Sequence, residues 1–276
     1  MMTAWANGRV NGIPVLGFGT WPLRGDVAYA SVLAGLEAGF RHIDTAQMYG
    51  NEREVGAALK ASGVAREDVF IVSKISPQVE PAAIEASIVQ SLDALDAGPI
   101  DLMLIHWPLN DADYFDAALA RLNEAQDQGL VKAIGISNCN VALMERAVQR
   151  SRHRILVNQV EFHPLLDQRK VQEAAAKLGI AISAYCPIAR GAALIEPVIM
   201  KIAAAHAVTP AEVVLAWIIA QGVIALPMTT KRANAQSNFK ALRLQLGEAE
   251  LAEISALRQK HQRLISPAGW AQWDAP

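Results

Sequence analysis

The stretch AGLEAGFRHID, residues 34–44, carries the grammar of the whole chain. An alanine-rich amphipathic segment closes on Gly39, and a short apolar run follows at once. The same sentence recurs as ALKASG–VAREDVFIVSK around Gly63, SLDALDAG–PIDLMLIHW around Gly98 and LNEAQDQG–LVKAIGIS around Gly129. It returns as AAAKLG–IAISAY around Gly179 and WIIAQG–VIALP around Gly222. Glycine at such a place suits the left-handed residue that ends a helix. The runs that follow are too short for helices and are apolar on both faces, as strands of a buried parallel sheet are.

Working outward, two further strands lack the glycine, 15–18 and 155–160. Eight strands are then expected at 15–18, 40–44, 69–74, 101–105, 131–136, 155–160, 180–185 and 223–226. Helices fall between them near 26–38, 51–62, 81–96, 113–128, 140–150, 167–177 and 210–221. An extra helix is expected near 197–206, and 248–258 closes the chain. Thr209-Pro210-Ala211-Glu212 reads as a capping box with proline at the first helical position. Asn7-Gly8 and Asn11-Gly12 read as turns of an N-terminal hairpin. Eight strands alternating with helices, near the typical barrel length of about 250 residues, point to an α/β fold of the (β/α)8 TIM-barrel type. A doubly wound sheet is the competitor, and the count of eight favours the barrel. No linker divides residues 1–276, so one domain is expected.

Composition removes several classes of function. The net charge of −2 on 276 residues argues against a nucleic-acid partner. No run approaches the roughly eighteen apolar residues of a membrane span, and residues 1–10 hold no apolar signal core. Two cysteines, Cys139 and Cys186, form no disulfide framework, so a cytoplasmic location is expected. Gly17-Phe18-Gly19 lacks the third glycine of a dinucleotide fingerprint. There is no Walker A loop, HExxH or GxSxG.

In a barrel, chemistry sits at the C-terminal ends of the strands. Those ends carry Asp44 running into Tyr49, then Lys74, His106, Ser137 with Asn138, Gln159, Tyr185, and Thr229-Thr230-Lys231-Arg232. Taken singly, each is more simply a rim charge or a packed ring. Together they are harder to dismiss. Lys74 in IVSKI and Asp44 in FRHIDTA lie in buried strands, where a charge needs a partner, and each is the natural partner of the other. A lysine beside Tyr49 is expected to lower the phenol from its usual value of about 10 and make it a better proton donor.

The motifs GFRHIDTAQMYGNEREVG, IVSKI, DLMLIHWP, IGISNC, NQVEFHP and AYCPIARG, in this order, resemble those of the aldo-keto reductases over essentially the whole chain. The resemblance implies a (β/α)8 barrel that binds a nicotinamide cofactor without a Rossmann domain. It matches Asp44, Tyr49, Lys74 and His106 to the family's catalytic tetrad. Ser137, Asn138 and Gln159 match carboxamide-binding residues, and Tyr185 matches the ring that stacks on the nicotinamide. Trp21 and Trp107 match aromatic walls of the substrate pocket, with Trp270 and Trp273 as additions to that wall. Asn51 and Glu52 read as a helix start. His163 in EFHP reads as structural, and His42 has no assigned role.

The departures concern the cofactor. The Lys, Ser and Arg that often hold a 2′-phosphate are here Met228, Thr229 and Asn234, which alone would suggest NADH. However, Lys231 and Arg232 lie close by. The segment TTKRANAQSN resembles the bacterial 2,5-diketogluconate and methylglyoxal reductase branch, where NADPH is usual. Asn238 matches an adenine-contacting asparagine. The expected function is NADPH-dependent reduction of aldehydes, ketoaldehydes and dicarbonyls, with NADH as the alternative cofactor, Tyr49 as general acid, no metal, and a monomeric enzyme. Two rivals stand beside it. A metal-dependent barrel hydrolase would use His42, Asp44, His106 and His163, but Lys74 puts a cation where the metal would sit. A cofactor-loaded regulatory or sensor subunit could retain the same tetrad. The short connections 109–113 and 188–196 lead to the expectation of an open pocket.

Overall fold

The computed structural model describes residues 8–274. Asn11 and Gly12 both take positive φ and turn a two-stranded antiparallel hairpin, β1 (Arg9–Val10) and β2 (Ile13–Pro14). The Asn7 half of the expected first turn lies outside the described residues. Eight parallel strands follow: β3 (Phe18–Gly19), β4 (His42–Asp44), β5 (Phe70–Ile75), β6 (Leu102–Ile105), β7 (Ile134–Ser137), β8 (Ile155–Glu161), β9 (Ala181–Tyr185) and β10 (Ile224–Ala225). Each pairs with the next in chain order. The ring closes where Leu16 bridges Ala225, with Gly17 N donating to Ala225 O and Ala225 N to Val15 O. The first expected strand therefore pairs on both sides, through 16 to β10 and through 18–19 to β4. Gly17 is required at that seam, because a Cβ would come within 2.6 Å of Leu226 and 2.8 Å of the His42 ring.

Helices α1 (Gly25–Ala38), α2 (Glu52–Ser62), α3 (Ile84–Leu95), α4 (Ala112–Asp127), α5 (Val141–Arg150) and α6 (Arg169–Leu178) each link one strand to the next. Then come α7 (Pro197–His206), α8 (Pro210–Ala220), α9 (Arg232–Lys240) and α10 (Glu248–Ala256). α1 ends at Gly39 in the left-handed region, its N–H closing on Gly35 O and Leu36 O. One local expectation needs correction, and one helix was not foreseen. Thr209 caps Glu212 N, but the Glu212 carboxylate accepts the Thr209 and Ser237 hydroxyls instead of closing a reciprocal box. α9 forms directly after Lys231, a helix the apolar spacing of RANAQSNFK did not announce. No single described helix is long and apolar enough to cross a membrane.

Strand alternation sorts the side chains into two cores. Ile71, Ile75, Met103, Ile105, Ile134 and Ile182 point out against the helices. Val72, Leu102, Leu104, Val157, Ala181 and Ile224 point in, where Val10 and Ile13 of the hairpin join them and plug the lower end. Continuing the same inward rows two residues at a time leads up to Lys74, His106, Gln159 and Tyr185. The pleat that fills the bottom with hydrocarbon thus delivers the polar residues to the top.

Candidate active site

A cavity of about 590 Å³ opens at the upper end. Its lining includes Trp21, Asp44, Tyr49, His106, Trp107, Ser137, Asn138, Gln159, Tyr185 and Trp270. The β4 end, the turn 47–49, β6, β7, β8 and β9 therefore converge on one space.

Lys74 sits beneath Tyr49 and is fully buried. Its Nζ donates to Asp44 Oδ1 at 2.6 Å and to Thr45 O at 2.8 Å, and lies 3.3 Å from Tyr49 Oη. The second Asp44 oxygen accepts from Gln159 Nε2 at 2.6 Å. One carboxylate thus ties β4 to β5 and to the far wall at β8. The ion pair expected between Asp44 and Lys74 is present, and it is the partner each buried charge needs. The expected lowering of the Tyr49 phenol is not. Burial pushes it well above 10, and Asp44 and Cys186 push the same way. Burial outweighs the lysine because Asp44 neutralises Lys74 at closer range than Lys74 approaches the phenol. The phenol consequently holds its proton. Burial lowers Lys74 itself, against the pull of Asp44.

The His106 ring meets Tyr49 edge-on at 5.6 Å between centroids. Burial, with Lys74 adding to it, holds this imidazole well below 6.5, so it is neutral near pH 7. Its Nδ1 is buried without a partner. An orphaned N–H is the rarer fault in a folded protein, which assigns the proton to Nε2, the nitrogen with access to the cavity.

Ser137, Asn138 and Gln159 form the floor. Asn138 Nδ2 donates to His106 O and Ser137 Oγ, and its Oδ1 accepts from Tyr185 Oη at 2.7 Å. That bond fixes the Tyr185 ring at the cavity wall. Gln159 Oε1 has no hydrogen-bond partner among the described residues, leaving an amide acceptor at the floor. A flat ring beside a free amide acceptor suits an aromatic carboxamide. Trp107 packs on Trp270 and Trp273; of these two partners Trp270 lines the cavity with it, and Trp273 does not.

Thr229, Thr230, Lys231, Arg232 and Asn238 lie off this cavity. Arg232 is exposed and pairs with Glu37 at 2.7 Å, and Asn238 is buried within α9. Met48, Arg190 and Ile265 line the cavity without having been assigned a role from the sequence, and Met228, noted only as a departure at the phosphate position, lines it too. Of these, Met48 and Arg190 fall within motifs quoted above, GFRHIDTAQMYGNEREVG and AYCPIARG. Asn51, a helix start as expected, turns its amide to Thr20 O and Leu23 O. His163 donates to Glu161, and His42 Nδ1 meets Pro14 O. Among the described residues no cluster of three metal-ligating side chains forms.

A sequence model of the Aldo/keto reductase family matches residues 15–259. The chain is 43% identical to methylglyoxal reductase DkgB of Escherichia coli O157:H7 over 95% of its own length and 99% of the relative's. It is 37% identical to an aldo-keto reductase of Mycolicibacterium smegmatis, over 90% of each chain. Among solved structures it is similar to a protein provisionally assigned as 2,5-diketo-D-gluconic acid reductase B, with a TM-score of 0.92 at 39% identity. That match covers 96% of this chain and 95% of the other. The barrel, the buried lysine–aspartate–tyrosine cluster and these relatives agree: the chain belongs to the aldo/keto reductase family, whose members are oxidoreductases acting on carbonyl groups.

Proposed function

We propose that the protein reduces aldehydes, ketoaldehydes and related dicarbonyls with NADPH, and that Tyr49 is the general acid. The observation that carries this reading is Lys74 Nζ, 2.6 Å from Asp44 and 3.3 Å from Tyr49 Oη, below a cavity that His106 also lines. The nicotinamide cofactor, when bound, supplies the hydride. Gln159 Oε1, with Ser137 and Asn138, would hold its carboxamide, and the Tyr185 ring would lie against its face. Thr229, Thr230, Lys231, Arg232 and Asn238 would take the adenosine end, with Arg232 leaving Glu37 for the 2′-phosphate.

Burial keeps the Tyr49 proton in place until a carbonyl oxygen gains charge and draws it away. Lys74 then stabilises the tyrosinate that forms, because its ammonium faces the phenol oxygen. Asp44 holds Lys74 in that position, and Gln159 holds Asp44. Neutral His106 donates from Nε2 to the same carbonyl oxygen and orients it. Two donors fixed before the reaction and aimed at developing charge form a pre-organised electrostatic site. The relatives' names, methylglyoxal reductase and 2,5-diketo-D-gluconic acid reductase B, support dicarbonyls as the substrate class. Both cysteines are free thiols, in keeping with a reducing compartment such as the cytoplasm. The test is a panel of methylglyoxal, 2,5-diketogluconate and an aryl aldehyde, assayed with NADPH and NADH in parallel. Turnover with NADPH above NADH supports the reading. No oxidation of either cofactor by any carbonyl overturns it.

A further inference from the structure

Glu161 is a buried carboxylate that the reaction above does not use. It ends β8, on the same inward row as Gln159, and is fully buried. Among the described residues no lysine or arginine lies at ion-pair distance from its oxygens, and the one ion-pair contact is with the His163 ring. Oε1 accepts from Leu264 N at 2.7 Å and from His163 Nε2 at 2.8 Å, while Oε2 accepts from Ile265 N at 2.8 Å. Two consecutive backbone amides of the C-terminal segment thus fall on the two oxygens of one side chain.

This segment has no ladder of its own. After the last helical turn, Leu257–Lys260, it runs without strand or helix to 274. Buried backbone donors in such a segment need acceptors from elsewhere, and Glu161 supplies two. Further along, Trp270 O accepts from Leu109 N, and Asp274 accepts from Val141 N. The segment fastened in this way carries Ile265 and Trp270, both in the cavity wall.

We propose that Glu161 is a positioning residue that fastens the C-terminal segment to the barrel and thereby sets the shape of the substrate wall. It acts through Ile265 and Trp270, not on the reacting atoms. The inference rests on the carbonyl-reductase reading for its kinetic consequence, while the fastening itself is independent of it. A carboxylate suits the task because each oxygen can accept. An amide at the same place turns a donor toward one of the backbone N–H groups, so Glu161→Gln removes one fastening and opposes it with a like dipole.

The experiment compares wild type, Glu161→Gln and Leu264→Pro. The proline variant deletes one tail donor while leaving the buried carboxylate and both wall residues unchanged. KM and kcat are measured for methylglyoxal and for 4-nitrobenzaldehyde, alongside the dissociation constant for NADPH and hydrogen exchange at residues 264 and 265. In both variants KM for the aryl aldehyde is expected to rise roughly tenfold, as for loss of one charge-assisted hydrogen bond. The kcat values and NADPH affinity hold, and the remaining tail amides exchange faster. Unchanged KM with unchanged exchange overturns the proposal. So does an equal fall in kcat for both substrates, which would place Glu161 among the residues acting on the chemistry. If Glu161→Gln does not fold, Leu264→Pro alone decides between the same outcomes. Should the wild type reduce no carbonyl, the functional reading fails, and the exchange measurement still tests the fastening.

Discussion

Replacing Lys74 by methionine removes the cation from a pair that is almost wholly enclosed, with Lys74 unexposed and Asp44 4% exposed. Asp44 then keeps Gln159 Nε2 at 2.6 Å but no countercharge, and Thr45 O loses its 2.8 Å donor. Breaking a buried pair in this way costs about 3–5 kcal/mol, because the remaining charge is left largely desolvated without its partner. The orphaned carbonyl adds about 1 kcal/mol. In a chain of this size each kilocalorie moves the melting temperature by roughly 2–4 °C, so the variant should melt about 10 °C or more below wild type. The informative assay is a cycle of wild type, Lys74→Met, Asp44→Asn and the double variant, followed by equilibrium denaturation with tryptophan fluorescence. Asparagine still accepts from Gln159 while carrying no charge, so the double variant should be more stable than the sum of the single losses predicts, by about 1–3 kcal/mol. Strict additivity, or a Lys74→Met protein with the wild-type midpoint, would refute the claim that the two charges are enclosed together.

Tyr49→Phe should lower the reduction rate by about 10²–10⁴-fold and leave NADPH affinity intact, measured by cofactor fluorescence; near-normal turnover would remove Tyr49 from the role of acid. Because burial raises the phenol, the rate at saturating substrate should stay level up to about pH 10, and a descending limb centred near pH 8 would contradict this. By linkage, the folded chain keeps that proton where the unfolded chain has lost it, so this group's contribution to stability declines as pH rises beyond about 10. Replacing Lys231 and Arg232 together by alanine should weaken NADPH binding about tenfold and leave NADH nearly unchanged; equal loss for both would make Met228 and Asn234 the better guide to cofactor choice.

The barrel was legible because a parallel strand buried on both faces and a helix ended by glycine leave local marks, as at Gly39 and Gly179, both left-handed here. Asp44 and Lys74 were legible because a charge inside an apolar run demands a partner. The direction of the Tyr49 shift was not, since it depends on how burial and Asp44 balance Lys74 in three dimensions. Arg232 suggested a cation waiting for a phosphate, and only the packing of α9 beside α1 brings Glu37 to it. Glu161 looked like one more motif letter. Its backbone partners, Leu264 and Ile265, lie more than a hundred residues away, in a segment whose sequence has no period to read. The capping glutamate Glu212 misled for the same reason, as Ser237 reaches it from α9.

The hairpin plug divides the barrel's interior into two territories that mutation can address separately. Below lies a hydrocarbon block of Val10, Ile13, Val72, Leu102, Leu104 and Val157, where volume-conserving exchanges cost little. Above lie the groups proposed to hold the proton and the carbonyl oxygen. The lower block touches no reacting atom, so it offers a place to engineer heat resistance without retuning catalysis. The upper tier offers no such freedom, because the carboxylate of Asp44 that orients the lysine also braces opposite walls of the ring.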